Sequence, residues 1–254
     1  MRLLIVPVVF VLASMSAHAD IINGDFELGN LTGWTPAGNF NSGLGNVQVL
    51  ASGQFASNSG PSVTISAPQG SFYALLSNGP GGTPGGMSTL TSVPYVVAPG
   101  ADISFLLNFF TNEFPTTMGG SPDFYDVFVL PQAGPTATLA SGDVDGAQQS
   151  TGVDCISAFL VTPDGSTTVC TDSGLQAFTN LSLNAYAGQI VRFQFLVSDP
   201  PTDAFFDSAL LVDGVHGNGL TPFVQGAVPE PRSWILVLTA VCLPYLYLRR
   251  WHNR

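Results

Sequence analysis

Between residues 20 and 227 the apolar runs are short, rich in Val, Ile and Phe, and broken every eight to fifteen residues by Gly, Pro, Asn or Asp. Runs of this kind read as strands, because β-branched and aromatic side chains suit a pleated surface while the breakers turn the chain. Val63-Thr64-Ile65-Ser66 and Val191-Arg192-Phe193-Gln194-Phe195 alternate, which turns one face of each inward. Residues 103–110 and 125–130 are nearly continuous apolar runs, as expected for central strands covered on both faces. No segment here has a persuasive helical period. The stretch 78–86, Asn-Gly-Pro-Gly-Gly-Thr-Pro-Gly-Gly, and the stretch 115–123 read as long loops. With no repeat and no break in composition, residues 20–218 are expected to form one all-β sandwich, followed by a linker at 219–227.

Charge narrows the function. The chain has six arginines, no lysine and 17 acids, a formal net charge of -11. Phosphates are repelled by such a surface, so nucleic acid is not an expected partner. Without lysine there is no Schiff base and no P-loop. Five arginines lie in the end segments, leaving residues 20–227 with 16 acids against Arg192 alone, formally minus 15. That surface repels anionic polymers unless cations bridge, and it offers oxygen ligands to calcium.

Both ends are apolar. Met1-Arg2, the greasy run 3–13 and the small-residue stretch ending Ala17-His18-Ala19 have the pattern of a signal peptide over residues 1–19, which signal peptidase would remove to leave Asp20 first. Near the other end, residues 234–248 are an apolar run bracketed by Trp234, Tyr245, Tyr247 and Trp251 and closed by Arg249, Arg250 and Arg254. Interfacial aromatics and a cytoplasmic arginine stop are expected of a transmembrane helix. Val228-Pro229-Glu230-Pro231 stands just before it, and its prolines keep the segment extended and accessible. The order of Pro229-Glu230-Pro231, apolar helix and arginine cluster resembles the PEP-CTERM sorting signal over residues 228–254. The resemblance implies recognition by a membrane-embedded exosortase and a transient membrane anchor. It also implies delivery to the cell surface or the extracellular matrix, where such families accompany exopolysaccharide and biofilm.

Export would place Cys155 and Cys170 where disulfides persist. Their pairing would tie the base of a hairpin centred on Pro163-Asp164-Gly165-Ser166, a constraint worth about 3 kcal/mol on the chain-entropy account.

Asn23-Gly24-Asp25-Phe26-Glu27 with Leu31-Thr32-Gly33-Trp34 resembles the opening strand of galactose-binding-like jelly rolls, which include many carbohydrate-binding modules. Residues 183–193 resemble their penultimate region. Residues 208–215 resemble their closing strand, with Gly214 where a second polar residue is usual. The resemblance implies a single jelly-roll β-sandwich whose first and last strands pair at an edge. It also implies a structural calcium held by Glu27 and Asp213, with Asp25 and Asp207 as weaker ligands. Carboxylate oxygens suit that ion. Asp143-Val144-Asp145-Gly146 lacks the final glutamate of a calcium loop and is assigned no metal. Trp34, Phe40, Tyr73 and Tyr95 are the aromatics that could stack on a sugar, although aromatics beside apolar runs usually fill the core.

His216 is the only histidine outside the two ends, and no G-x-S-x-G or H-E-x-x-H motif occurs. The expected function is therefore that of an exported, non-catalytic surface or matrix protein with affinity for exopolysaccharide. The alternative is a secreted carbohydrate-active enzyme of glycoside hydrolase type, which needs only two suitably spaced carboxylates.

Overall fold

A computed structural model describes residues 20–38, 47–52, 56–57, 65–78, 86–111, 122–143, 149–150, 160–161, 168–169, 171–199 and 208–224. The chain divides into two compact units, Met1–Phe223 and Val224–Arg254, and the elements described below belong to the first. Residues 1–19, Phe40, Cys155, Cys170, Asp207, the Pro229-Glu230-Pro231 motif, the run 234–248 and its arginines lie outside the described residues. Among the described residues no helix is long and apolar enough to cross a membrane.

Fifteen strands follow one another among the described residues. They are β1 (Trp34–Gly38), β2 (Val47–Ala51), β3 (Ala56–Ser57), β4 (Phe72–Ser77), β5 (Met87–Ser92), β6 (Tyr95–Thr111), β7 (Phe124–Pro131) and β8 (Ala137–Asp143), then β9 (Gln149–Ser150), β10 (Leu160–Val161), β11 (Thr168–Val169), β12 (Thr171–Asp172), β13 (Gln176–Ser182), β14 (Ile190–Ser198) and β15 (Ser208–Pro222). Every pairing is antiparallel. One layer runs β2-β4-β15-β6 and continues on the far side of β6 with β13 and β12. The other runs β1-β5-β14-β7-β8.

The long strand β6 belongs to both layers. Its first residues, Tyr95 and Val96, pair with Val191 and Ile190 of β14, whereas from Asp102 onward it lies between β13 and β15. Exposed Pro99 and Gly100 mark the bend, and Gly100 takes φ +79°, a conformation that a side chain resists. The expected all-β sandwich is therefore present as two antiparallel layers sharing a corner.

The layers close on an aromatic spine. Phe195 of β14 meets Phe105 of β6 edge-on at 5.5 Å and Trp34 of β1 at 5.9 Å. Phe26 lies 5.6 Å from Trp34, and Phe109 of β6 lies 5.4 Å from Tyr125 of β7. Edge-on and tilted rings at these distances add attraction beyond the area they bury. The alternation in β14 holds, with Val191, Phe193, Phe195 and Val197 buried and Arg192 exposed.

Four expectations change. Residues 23–27 form turns, not an opening strand, and the first strand begins at Trp34. Gly24 nevertheless meets the closing strand, its carbonyl accepting the Val215 N–H at 2.9 Å, so the contact of first and last segments survives without a ladder. The closing strand β15 is central, between β4 and β6, and not an edge. Ile65 and Ser66 lie outside any strand, Val63 and Thr64 being outside the described residues. Finally, β7 is buried only at alternate residues, so its near-continuous apolar run is covered on one side. The hairpin around residues 163–166 is supported by its described arms, where Leu160 and Val161 pair with Val169 and Thr168.

Candidate functional site

The face of β7 and β14 that points away from the core sets apolar side chains beside polar ones. Because Val127, Val129, Phe193 and Phe195 fill the core, the intervening Phe124, Asp126, Phe128 and Leu130 of β7 and Arg192, Gln194, Leu196 and Ser198 of β14 project outward. Register sets them side by side. Phe128 is opposite Gln194, Leu130 opposite Arg192, Asp126 opposite Leu196 and Phe124 opposite Ser198. The Gln194 amide donates to Thr91 Oγ1 of β5 at 3.0 Å, which orients it beside the Phe128 ring. Both phenylalanines are half-buried, and Arg192 is exposed. Burial raises the Asp126 carboxyl above its ordinary pKa. Apolar rings flanked by amide, guanidinium, carboxylate and hydroxyl groups match a sugar ring, which has an apolar face and a polar rim.

The aromatics singled out from sequence are not this surface. Trp34, Tyr73 and Tyr95 are buried, and Phe40 lies outside the described residues. Tyr95 accepts the Ile22 N–H at its hydroxyl, and the Trp34 indole donates to the Asn23 carbonyl, so both tie the N-terminal turn to the sandwich. Phe124, Phe128 and Gln194 were missed because the run 125–130 reads as a doubly covered strand. Asp126 in its middle, and Arg192 and Gln194 at period two, were the available signs of an open face.

Glu27 and Asp213 do come together, through a third segment. Glu27 Oε1 accepts the N–H groups of Ser71 and Phe72 at 2.7 and 2.9 Å, while Asp213 Oδ2 accepts that of Gln69 at 2.8 Å. Asp213 Oδ1 takes the Gly214 N–H at 2.7 Å. The turn 69–72 is thus latched between the beginning and the end of the domain. Two glycines make the approach feasible. A Cβ on Gly70 would stand 2.3 Å from Glu27 Oε1, and Gly214, at φ +55°, faces the Gln69 side chain. The unusual glycine in the closing strand is a consequence of this turn.

Asp213 is fully buried, and its pKa is raised to about 6, first by burial and then by the negative charges of Glu27 and Asp25, against the pull of its two N–H partners. The donor chemistry fits calcium, which would relieve that repulsion. Among the described residues no group of three or more His, Cys, Asp or Glu side chains is placed to hold one metal ion. Calcium at Glu27 and Asp213 would therefore take its remaining ligands from backbone carbonyls and water. Asp25 accepts the Glu27 N–H at 3.3 Å.

His216 sits within β15, not after it. Its Nδ1 is 2.9 Å from Asp20 Oδ2 and its Nε2 is 3.2 Å from Gln69 Oε1. No hydroxyl faces the second nitrogen, so the pair lacks the nucleophile of a hydrolase triad. Burial pushes the Asp20 carboxyl upward, but the Gly217 N–H, His216 and the Ile21 N–H together hold it below the usual value.

Among solved structures the chain is similar to a family 61 carbohydrate-binding module in complex with β-1,4-galactotriose, at 11% identity and a TM-score of 0.40 over 79% of this chain and 99% of that one. A carbohydrate-binding module specific for non-crystalline cellulose is 13% identical, with a TM-score of 0.39 over 76% and 91% of the two chains. The K2 cleaved adhesin domain of Lys-gingipain is 16% identical, with a TM-score of 0.38 over 74% and 90%. No protein-family model matches the chain, and no curated protein matches it in sequence.

Proposed function

We propose that the protein is an exported, non-catalytic sandwich of the galactose-binding-like jelly-roll type that binds extracellular polysaccharide through the open face of β7 and β14. One observation carries the reading: Phe124 and Phe128 project outward in register with Ser198 and Gln194, apolar rings beside fixed hydrogen-bonding groups on a face that the fold does not need for its core. Retention of the full-length protein on immobilised neutral glucan and galactan should fall about tenfold in Phe128→Ala, a loss of about 1.4 kcal/mol, with the urea midpoint little changed. Equal retention of the two proteins would overturn the reading, as would turnover of the glycan.

Within the same reading, signal peptidase releases residues 1–19. Pro229-Glu230-Pro231 then presents the chain to an exosortase-type enzyme while residues 234–248 and the arginines at 249, 250 and 254 hold it in the membrane. The mature chain ends at the surface or in the matrix. Intact-mass measurement of the surface-released protein tests this, since a chain still carrying residues 234–254 would refute cleavage. The Cys155–Cys170 disulfide is checked by thiol titration with and without reductant. Calcium at Glu27 and Asp213 is checked by the thermal midpoint with calcium and with chelator, which should differ by several degrees and coincide in Glu27→Ala.

A further inference from the structure

The sandwich holds the chain from the first residue that leader removal would leave. Asp20 is exposed, yet both of its carboxylate oxygens are engaged. Its Oδ1 accepts the Ile21 N–H at 2.7 Å and the Gly217 N–H at 2.9 Å, and its Oδ2 stands 2.9 Å from His216 Nδ1. Ile21 follows with its side chain in the main core, 5% exposed. The Ile22 N–H donates to the Tyr95 hydroxyl at 2.8 Å. The Gly24 carbonyl accepts the Val215 N–H, and a Cβ on Gly24 would stand 1.9 Å from the Val215 carbonyl oxygen, so backbone lies on backbone. Residues 20–24 thus form a latch on β15, with no slack between Asp20 and the bond that signal peptidase is expected to cut.

Proteolysis needs the chain around the cut bond open, so a bond joined directly to an ordered segment is cut only as often as that segment opens. Opening this latch means drawing Ile21 out of the core. Closing it, in turn, needs the far end of the domain. Tyr95, Val215, His216 and Gly217 lie 73 to 197 residues from their partners in the latch, and β15 is the last strand of the sandwich. In a chain exported as it is made, at about 5–20 residues per second, the 197 residues between Asp20 and Gly217 leave about 10–40 s in which the latch has nothing to close on.

We propose that the folded sandwich masks its own leader-cleavage bond. Closing of residues 20–24 on β15 and hydrolysis of the Ala19–Asp20 bond compete, so the leader is removed while β15 is still absent, and a chain that folds first keeps residues 1–19. The inference rests on the processing reading given above. In the hydrolysis, water adds across the Ala19–Asp20 amide and leaves a carboxylate on Ala19 and an ammonium on Asp20.

The test is the rate at which purified signal peptidase removes residues 1–19 from the folded full-length protein in detergent, followed by intact mass. A short Gly-Ser insertion between Ala19 and Asp20 moves the bond away from the latch without opening it. It should raise the rate at least about tenfold, because cutting of the parent waits on release of Ile21 from the core. Gly24→Ala, which drives the segment off Val215, should raise it about tenfold, and His216→Ala, which removes one exposed partner of Asp20, about threefold. Urea midpoints of the variants separate opening of the latch from loss of the fold, and the insertion decides the matter even where Gly24→Ala does not fold. Equal rates for the parent and the insertion variant, fast or slow, would overturn the mask. If the exported protein begins at Asp20, that failure leaves the processing reading standing. An exported protein that keeps residues 1–19, or begins elsewhere, would overturn both.

Discussion

The outward sides of the two layers are made by the same alternation yet end in different environments. Where β2 and β4 lie beside the end of β6 and the start of β15, the residues out of phase with the main core are themselves buried. Leu50, Tyr73, Leu75, Phe110, Ala209 and Leu211 form a second apolar cluster, with Ile65 and Ala67 packed on it. On the layer of β7 and β14 the equivalent positions, among them Phe128 and Leu196, are only partly buried. An apolar residue that points away from the main core is thus structural in one layer and available for contact in the other. What separates them, among the described residues, is whether another segment packs on the sheet, as Ile65 and Ala67 do on the first.

The sharpest way to break this contrast is to truncate matching leucines. Leu211→Ala on the roofed side should cost about 2–4 kcal/mol in urea denaturation, like a core position, whereas Leu196→Ala on the open side should cost less than about 1 kcal/mol. Similar costs would show that both faces are covered or that neither is. A smaller effect is expected where the roofing chain is fastened. Glu27→Ala leaves the Ser71 and Phe72 N–H groups without their acceptor and should destabilise by about 1–2 kcal/mol, a value discounted for the exposure of Glu27.

Smaller again is the change at Tyr73, whose hydroxyl is buried in the second cluster with no hydrogen-bond partner among the described residues and whose pKa is raised by burial. Tyr73→Phe removes a desolvated polar atom and should stabilise by about 1 kcal/mol, seen as a higher urea midpoint. A lower midpoint would reveal a partner for that hydroxyl.

The last prediction concerns pH. In the folded chain Asp213 keeps its proton up to about 6, above the ordinary carboxyl value of 3.8 at which the unfolded chain loses it. Between these values the folded state binds more protons, so the contribution of Asp213 to stability falls as pH rises through about 4 to 6 and is flat above. Measured in chelator, the parent should therefore lose thermal midpoint relative to Asp213→Asn across that window. Parallel profiles would refute the assignment.

Much of this organisation could be read from the residues. The alternation of Val191, Phe193 and Phe195 predicts their burial, and in the fold the turn 69–72 donates N–H groups to both Glu27 and Asp213. The open face was hidden because Phe124, Phe128 and Leu130 look like core residues, and apolarity does not reveal which side of a sheet another segment will cover. The contact of Asp20 with His216 was hidden more deeply, because it depends on where β15 lies beside β6 and on the register shift that precedes His216. His216 in isolation carries no sign of Asp20, which lies 196 residues away.

What the chain's residues determine unaided is local: short apolar runs with frequent breakers become strands, period-two patterning selects an inward face, and an acidic, lysine-free composition repels anionic polymers unless cations bridge. Tertiary structure decides which outward face is roofed, where the bulges fall and which residues distant in the chain meet. The reason is that alternation is a property of one strand, whereas coverage and convergence depend on pairings between strands far apart in the chain, whose register no single strand encodes.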